Sequence, residues 1–208
     1  MLSFFGQAVR AYKTTGAIAP SGPVLARAMT RELESHVGPK RVLEVGPGDG
    51  AFTRRILELL NPGDVFHVVE INPRFARLIE EKRLAPFRAR HPGIEVRLIV
   101  GAIQEVELEG QYDYVICGLP FNIFPLHVVS EIFRHMMAHV KEGGGLTYFE
   151  YLGMKAIKMP LLGRRGRKRL KRRIALCKLL DRRYQGTRDL VWRNLPPANA
   201  VHLRGRAA

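Results

Sequence analysis

Residues 41–70 read RVLEVGPGDGAFTRRILELLNPGDVFHVVE. Arg41–Val45 is a largely apolar run of strand length that passes directly into Gly46-Pro47-Gly48-Asp49-Gly50. Residues 51–60, AFTRRILELL, carry apolar side chains at helical spacing and stop at Asn61-Pro62-Gly63. Val65–Glu70 is a second apolar strand. Strand, glycine turn, helix and strand make one βαβ unit, and strands joined that way pair in parallel.

The same rhythm continues outward. Pro73–Ala89 reads as a helix whose Phe75, Leu78, Ile79 and Phe87 face a sheet, and Ile94–Val100 as a third strand. Tyr112–Cys117 is a fourth strand that runs into GLPFN. Leu126–Val140 is helical, with Val129, Ile132, Phe133 and Met136 on one side. Gly143–Gly145 then leads into a fifth strand, Leu146–Tyr151. Upstream, Ser21 and Pro23 open a helix from Val24 to about His36. Downstream, Arg188–Leu195 and Ala200–Leu203 flank Pro196-Pro197 as a closing antiparallel hairpin. The expectation is an α/β, Rossmann-like fold: a seven-stranded, mostly parallel sheet with helices on both faces and a C-terminal antiparallel hairpin.

The 208 residues, 46% apolar, suit a single domain with a full-sized core. Net charge is +15, and it is unevenly placed. Residues 1–154 carry 17 basic and 17 acidic side chains; residues 155–193 carry 15 basic and 2 acidic, a net of +13. Such a block exceeds what solubility needs and favours an anionic partner, lipid headgroups or nucleic acid. Within it, residues 155–183 read as an interrupted basic helix with an apolar stripe at Leu170, Ile174, Leu176, Cys177 and Leu180. Cys117 and Cys177 lie too far apart for a metal-ligand pattern or a disulfide framework, which suits a reducing compartment. No run of ~18 apolar residues spans a membrane. Residues 2–15 place Leu2, Phe5, Val9 and Tyr12 at helical steps beside Arg10 and Lys13, the pattern of a basic amphipathic helix.

Glycines at 46, 48 and 50 allow a sharp turn and close backbone approach to a ligand. Gly46, Gly48 and Ala51 also satisfy a dinucleotide fingerprint. Asp49, however, lies where a dinucleotide would seat its pyrophosphate, and an acid there repels it. Glu44 and Asp49 instead suit a ligand that carries an ammonium and a sulfonium, so S-adenosylmethionine is the expected cofactor, with S-adenosylhomocysteine as product. Glu70, at the end of the second strand, can accept both ribose hydroxyls of either cofactor. Ile71 and Gly101-Ala102-Ile103 would flank the adenine. The expected cofactor contacts are Glu44, Gly46, Pro47, Gly48, Asp49, Glu70, Ile71, Gly101, Ala102, Ile103 and Gly118. Neither a phosphate-binding GxxxxGK[ST] loop nor an HExxH or Cys/His metal pattern is present, and no metal is expected.

Methyl transfer from a sulfonium needs positioning more than acid–base machinery, although an amine acceptor of pKa about 10 must lose a proton. The candidates around the acceptor are Tyr12, Phe121, Asn122, Tyr148, Glu150 and Tyr151. Aromatic rings there also suit a methylated ammonium. Strand alternation puts Tyr148 and Glu150 on one face and Phe149 and Tyr151 on the other, so they cannot all serve one site.

GAIAPSGPVLARAM (16–29), VLEVGPGDGAFTRRIL (42–57), VVEINPRFARLI (68–79), ICGLPFN (116–122) and GGGLTYFEY (143–151) together resemble the bacterial phospholipid N-methyltransferases. These are class I methyltransferases related to the ribosomal-RNA adenine dimethyltransferases. The resemblance covers residues 8–154 and extends to the basic tail only in character. It implies stepwise N-methylation of phosphatidylethanolamine toward phosphatidylcholine by a cytoplasmic enzyme bound peripherally to the inner face of the membrane. It further implies that residues 1–15 form a membrane-binding lid helix. Residues 16–208 would be the catalytic domain, with residues 155–186 as a basic insertion. Lipid would be met through residues 2–15 and 155–193 by a monomer. The RNA relatives carry an NLPY-type acceptor loop. Here the stretch is Gly118-Leu119-Pro120-Phe121, which lacks the amide that orients an adenine. An RNA or protein methyltransferase is the alternative, with the basic block on phosphodiesters, though few aromatics interleave that block. A non-catalytic adaptor is disfavoured by the complete set of glycines and acids, and an NAD-linked oxidoreductase by Asp49.

Overall fold

The computed structural model describes residues 22–121, 124–152 and 164–205. Its helices are α1 (Pro23–Met29), α2 (Arg31–Glu34), α3 (Ala51–Glu58), α4 (Pro73–Ile79), α5 (Ala85–Arg90), α6 (Leu126–Ala138) and α7 (Arg164–Arg183). Its strands are β1 (Arg41–Val45), β2 (Val65–Glu70), β3 (Glu95–Val100), β4 (Tyr112–Cys117), β5 (Val140–Tyr151), β6 (Thr187–Val191) and β7 (Ala198–Arg204). The seven strands form one sheet in the order β3-β2-β1-β4-β5-β7-β6. The first five are parallel, and β7 runs antiparallel between β5 and β6. This is the Rossmann-like architecture with a C-terminal antiparallel hairpin that the alternation of elements implies.

Both faces of the sheet are covered, which is why its central strands are apolar throughout rather than alternating. On one face Leu43, Val45, Val115, Cys117, Leu146 and Tyr148 pack against Val129, Ile132, Phe133 and Met136 of α6. Leu176 and Leu180 of α7, and Tyr184 just after it, join them. On the other face Val42, Phe66, Val68, Ile116 and Phe149 meet Leu25 of α1, Phe52 and Ile56 of α3 and Ile79 of α4. At the amino ends of β1 and β2 the fully buried Lys40 ammonium meets the Asp64 carboxylate at 2.6 Å. Asp64 also accepts from the amides of Lys40 and Asn61, so the pair is hydrogen-bonded as a buried charge must be.

Five boundaries differ from the sequence expectation. The strand expected over 188–195 ends at Val191, because Asn194 is drawn into bonds with Gly22 and Pro196 and residues 192–197 make the turn. The helix expected over 24–36 is two short ones, because the Thr30 hydroxyl bonds back to the Ala26 carbonyl at 2.9 Å and the backbone leaves helical geometry there. The helix expected over 73–89 contains a π-helical stretch at Glu80–Leu84. Pro86 follows it, and its missing N–H and its ring are accommodated by the wider turn. The fifth strand begins at Val140, not Leu146. The expected interruption of the basic helix does not occur within Arg164–Arg183, which is continuous. Residues 2–15, with Tyr12, lie outside the described residues, as does Asn122.

Tyr148 gives a direct stability test of this packing. It is 1% exposed, and its hydroxyl has no hydrogen-bond partner. Burial holds its phenol well above the ordinary tyrosine value. Tyr148→Phe is expected to raise stability by about 1 kcal/mol, since an unsatisfied buried hydroxyl is removed at constant shape. The urea midpoint measures this; a lower midpoint would mean the hydroxyl has a partner.

Candidate cofactor site

The strand order reverses between β1 and β4, and ligands of open α/β sheets bind beyond the carboxyl ends of the strands at such a switch. The main-chain ladder carries straight into the glycines there. Gly46 N donates to Val69 O at 2.8 Å, Gly118 N to Val45 O at 2.8 Å and Gly101 N to Glu70 O at 3.1 Å. The three turns therefore end at one height, and a crevice opens between them, lined by Gly46, Glu70, Ile71, Gly101, Ala102, Ile103 and Leu119.

Each glycine has its own reason. Gly46, Gly48 and Gly50 all have positive φ, at 70°, 59° and 83°. A Cβ on Gly46 would overlap the Leu119 side chain, whereas a Cβ on Gly48 would meet nothing. The turn is thus packed at Gly46 and open at Gly48, where its backbone can approach a ligand. Gly118 has no room for a side chain, because a Cβ there would overlap the carbonyl oxygen of Gly46. That contact fixes the start of the GLPF loop against the glycine turn. Gly50 caps α3 in the left-handed region, and its amide donates to Pro47 O at 3.0 Å.

The electrostatics of the turn are anionic. Glu44 is fully buried, and neither carboxylate oxygen has a hydrogen-bond partner. Burial pushes its carboxyl up to about 8; neighbouring Glu70 and Asp49 add to this, and nearby Thr53 offsets only part. Asp49 is exposed at the mouth of the turn. Glu70 is buried, and its carboxylate accepts from Asn72 N at 2.8 Å and Gly48 N at 3.3 Å. A buried carboxyl group without a hydrogen-bond partner, with two carboxylates around the same turn, is a site for a ligand bearing positive charge, and S-adenosylmethionine fits it.

At the end of the GLPF loop Phe121 stands against Phe133 at 4.6 Å and Tyr148 at 5.8 Å between ring centroids. Glu150 lies near Tyr148 and raises its phenol further. Tyr151 packs on the opposite face with Phe149 and is not part of this group. The structure therefore brings together Phe121, Tyr148 and Glu150 and separates Tyr151. Two residues outside the expected set also line this region: Thr53, whose buried hydroxyl lacks a hydrogen-bond partner beside Glu44, and Leu119, which packs on Gly46. The signal for Thr53 was a lone neutral polar residue on the buried side of α3.

Comparison with known proteins agrees with this architecture. Residues 43–146, half of the chain, match the model of a family described as a methyltransferase domain. An ornithine lipid N-methyltransferase from Singulisphaera acidiphila is 29% identical over 206 residues, covering 97% of this chain and 94% of that protein. Two solved structures share the fold. One is a putative rRNA methylase from Clostridium thermocellum, with TM-score 0.62, 15% identity, and 91% of this chain and 100% of that one covered. The other is the O-methyltransferase TomG from Streptomyces achromogenes, solved with S-adenosylmethionine, with TM-score 0.60, 18% identity, and 98% and 88% covered. With its strand order, its glycine turn and a match spanning β1 to β5, the chain belongs to the methyltransferase-domain family.

Proposed function

We propose that this S-adenosylmethionine-dependent methyltransferase N-methylates the primary amine of a membrane-lipid headgroup, phosphatidylethanolamine or an ornithine lipid. Bound at the glycine turn, S-adenosylmethionine supplies an activated methyl group on its sulfonium. Glu44 and Asp49 hold the cationic methionine end, and the open backbone at Gly48, with Pro47 and Gly46, seats it. Glu70 accepts the ribose hydroxyls, already oriented by the amides of Gly48 and Asn72. Ile71, Gly101, Ala102 and Ile103 flank the adenine.

The observation that carries the lipid reading is Gly118. A residue here must be glycine, because any Cβ meets Gly46 O. The acceptor loop consequently has no amide at the place where the RNA enzymes it resembles hold a planar base. Leu119, Pro120 and Phe121 follow; Leu119 and Phe121 are buried, and none of the three side chains replaces that amide with a hydrogen-bonding group. The ornithine lipid N-methyltransferase similarity, over nearly the whole of both chains, supports an aminolipid acceptor and makes ornithine lipid a substrate to test beside phosphatidylethanolamine. The amine must shed a proton to attack. Tyr148 cannot take it, since burial keeps its phenol protonated. Glu150, half-buried on the same face, is the carboxylate we assign to receive it. The basic block at 155–193 and the basic amphipathic stretch at 2–15 would hold the enzyme peripherally on an anionic inner leaflet. Among the described residues no helix is long and apolar enough to cross a membrane.

Glu44 makes cofactor binding pH-dependent. Without ligand its carboxyl, raised to about 8, is protonated at pH 7. A bound cation favours the carboxylate, so binding expels a proton, and affinity rises with pH until about 8 and is flat above. Calorimetric titration at pH 7 in buffers of different ionisation enthalpy measures that proton; zero release would refute the pairing. The acceptor is tested with labelled S-adenosylmethionine and separate vesicles of phosphatidylglycerol containing phosphatidylethanolamine, ornithine lipid or neither. Label in an amine-bearing lipid is the expected result, and none in either would overturn the lipid reading.

A further inference from the structure

The turn between β6 and β7 is oriented by register. Val191 and Tyr151 both pair with Ala198, so residues 192–197 project past Tyr151 at the carboxyl edge of the parallel strands. That is the edge of Gly46, Gly101 and Gly118. Trp192 is 68% exposed and Leu195 76%, with exposed Arg193 between them, while the polar residue of the turn, Asn194, is 2% exposed. This inverts the usual partition of side chains.

The inversion is held in place by hydrogen bonds. Asn194 Oδ1 accepts from Gly22 N at 2.9 Å, and its Nδ2 donates to Pro196 O at 2.8 Å. Leu152 N donates to Pro197 O at 2.7 Å. The turn is thereby pinned to the end of β5 and to the residue before α1, and its two large apolar side chains are directed outward.

Positive charge reaches the same edge. Arg204 N donates to Tyr184 O, which sets the C-terminal end of α7 at the far edge of the sheet, and Cys177 lies near Tyr148 further up. The helix therefore runs along the strands. From Arg204 to Ala198 the sheet extends about 20 Å at strand rise, whereas twenty helical residues extend about 30 Å. The first half of α7, on the side of that edge, carries exposed Lys168, Lys171 and Arg172.

We propose that Trp192 and Leu195 form an apolar anchor that enters the headgroup region of an anionic bilayer and presents the cofactor edge of the sheet to lipid. The proposal rests on the lipid-acceptor reading and adds where the protein touches the bilayer. A tryptophan and an aliphatic beside arginine is the composition that settles at a membrane interface. Two copies pairing tip to tip would bring two such basic helices together, so a second copy is the poorer occupant.

Trp192 is the sole tryptophan, so the unmodified protein reports on itself. Emission of the full chain is followed on adding vesicles of phosphatidylglycerol and phosphatidylethanolamine, with and without brominated acyl chains, alongside co-sedimentation. A blue shift with quenching by the brominated lipid is expected. Leu195→Ser, which keeps the reporter, should weaken vesicle partitioning roughly fivefold. Co-sedimentation with unchanged emission would overturn the anchor, since the basic block alone would then be holding the protein. Absence of co-sedimentation would also overturn it. So would a blue shift that appears with protein concentration alone, which would mean a second copy covers the tip. Methyl transfer to the same lipids dispersed in detergent is scored separately. Transfer there with no shift on vesicles sinks the anchor and leaves the acceptor reading; a shift without transfer does the reverse.

Discussion

Gly118→Ala is expected to reduce methyl transfer by about two orders of magnitude while the sheet remains folded. The added methyl would lie well inside van der Waals contact of the Gly46 carbonyl oxygen. One of two segments must then move: the glycine turn or the GLPF loop, which the proposed function gives to the donor and the acceptor. A displacement near 1 Å between reacting groups costs roughly a hundredfold. The distortion is confined to the ends of β1 and β4, so the thermal midpoint should fall by only a few degrees. Steady-state kinetics with S-adenosylmethionine, paired with a melting curve, measure both quantities. Wild-type turnover in the alanine variant would show that the two segments do not have to meet this closely.

Glu44→Gln is the second large effect, and its sign differs between binding and stability. The glutamine keeps the shape and removes the charge. Loss of a charge-assisted contact to the cationic end of the donor should weaken S-adenosylmethionine binding roughly ten- to hundredfold, and the coupled proton release should vanish. Stability moves the other way. The folded Glu44 carboxyl titrates at about 8 and the unfolded one at its ordinary value of 4.5, so its protonated form favours folding at low pH. That contribution is complete below the unfolded value and is lost as pH rises through 8. The glutamine variant loses nothing over that window, so it should be the more stable protein at pH 8 and gain no such advantage at pH 4. Denaturant midpoints across pH 4–9 read this difference; parallel curves for the two proteins would mean that Glu44 is not isolated in the core.

Much of this was legible because the signals are local. An apolar run, three glycines at alternate positions and a helical repeat identify a βαβ unit without tertiary knowledge, and Glu44 and Glu70 are placed by counting along two strands. What escaped depends on neighbours distant in sequence. Gly143–Gly145 reads as a turn, yet it lies inside β5. A Cβ on Gly144 would overlap Asp113 O of β4, and one on Gly145 would overlap the Glu32 carboxylate of α2. Those glycines answer to close approach by a neighbouring strand and a covering helix, and the pairing register shifts beside them, between Tyr112 and Tyr114. Thr53 was hidden for a similar reason: its relation to Glu44 exists only once α3 folds back over β1. The exposed tip at Trp192 and Leu195 could not be foreseen, because in sequence these look like core residues, and the ties from Asn194 to Gly22 and Pro196 and from Leu152 to Pro197 turn them outward.

The most direct test of the account offers purified protein a labelled S-adenosylmethionine together with two acceptors at once: vesicles carrying phosphatidylethanolamine and ornithine lipid, and structured RNA. Label should enter the lipid fraction, fall about a hundredfold with Gly118→Ala and leave the RNA unlabelled. Label in the RNA with none in lipid would contradict the account, because it would mean that an acceptor loop without the amide at position 118 still holds a nucleobase.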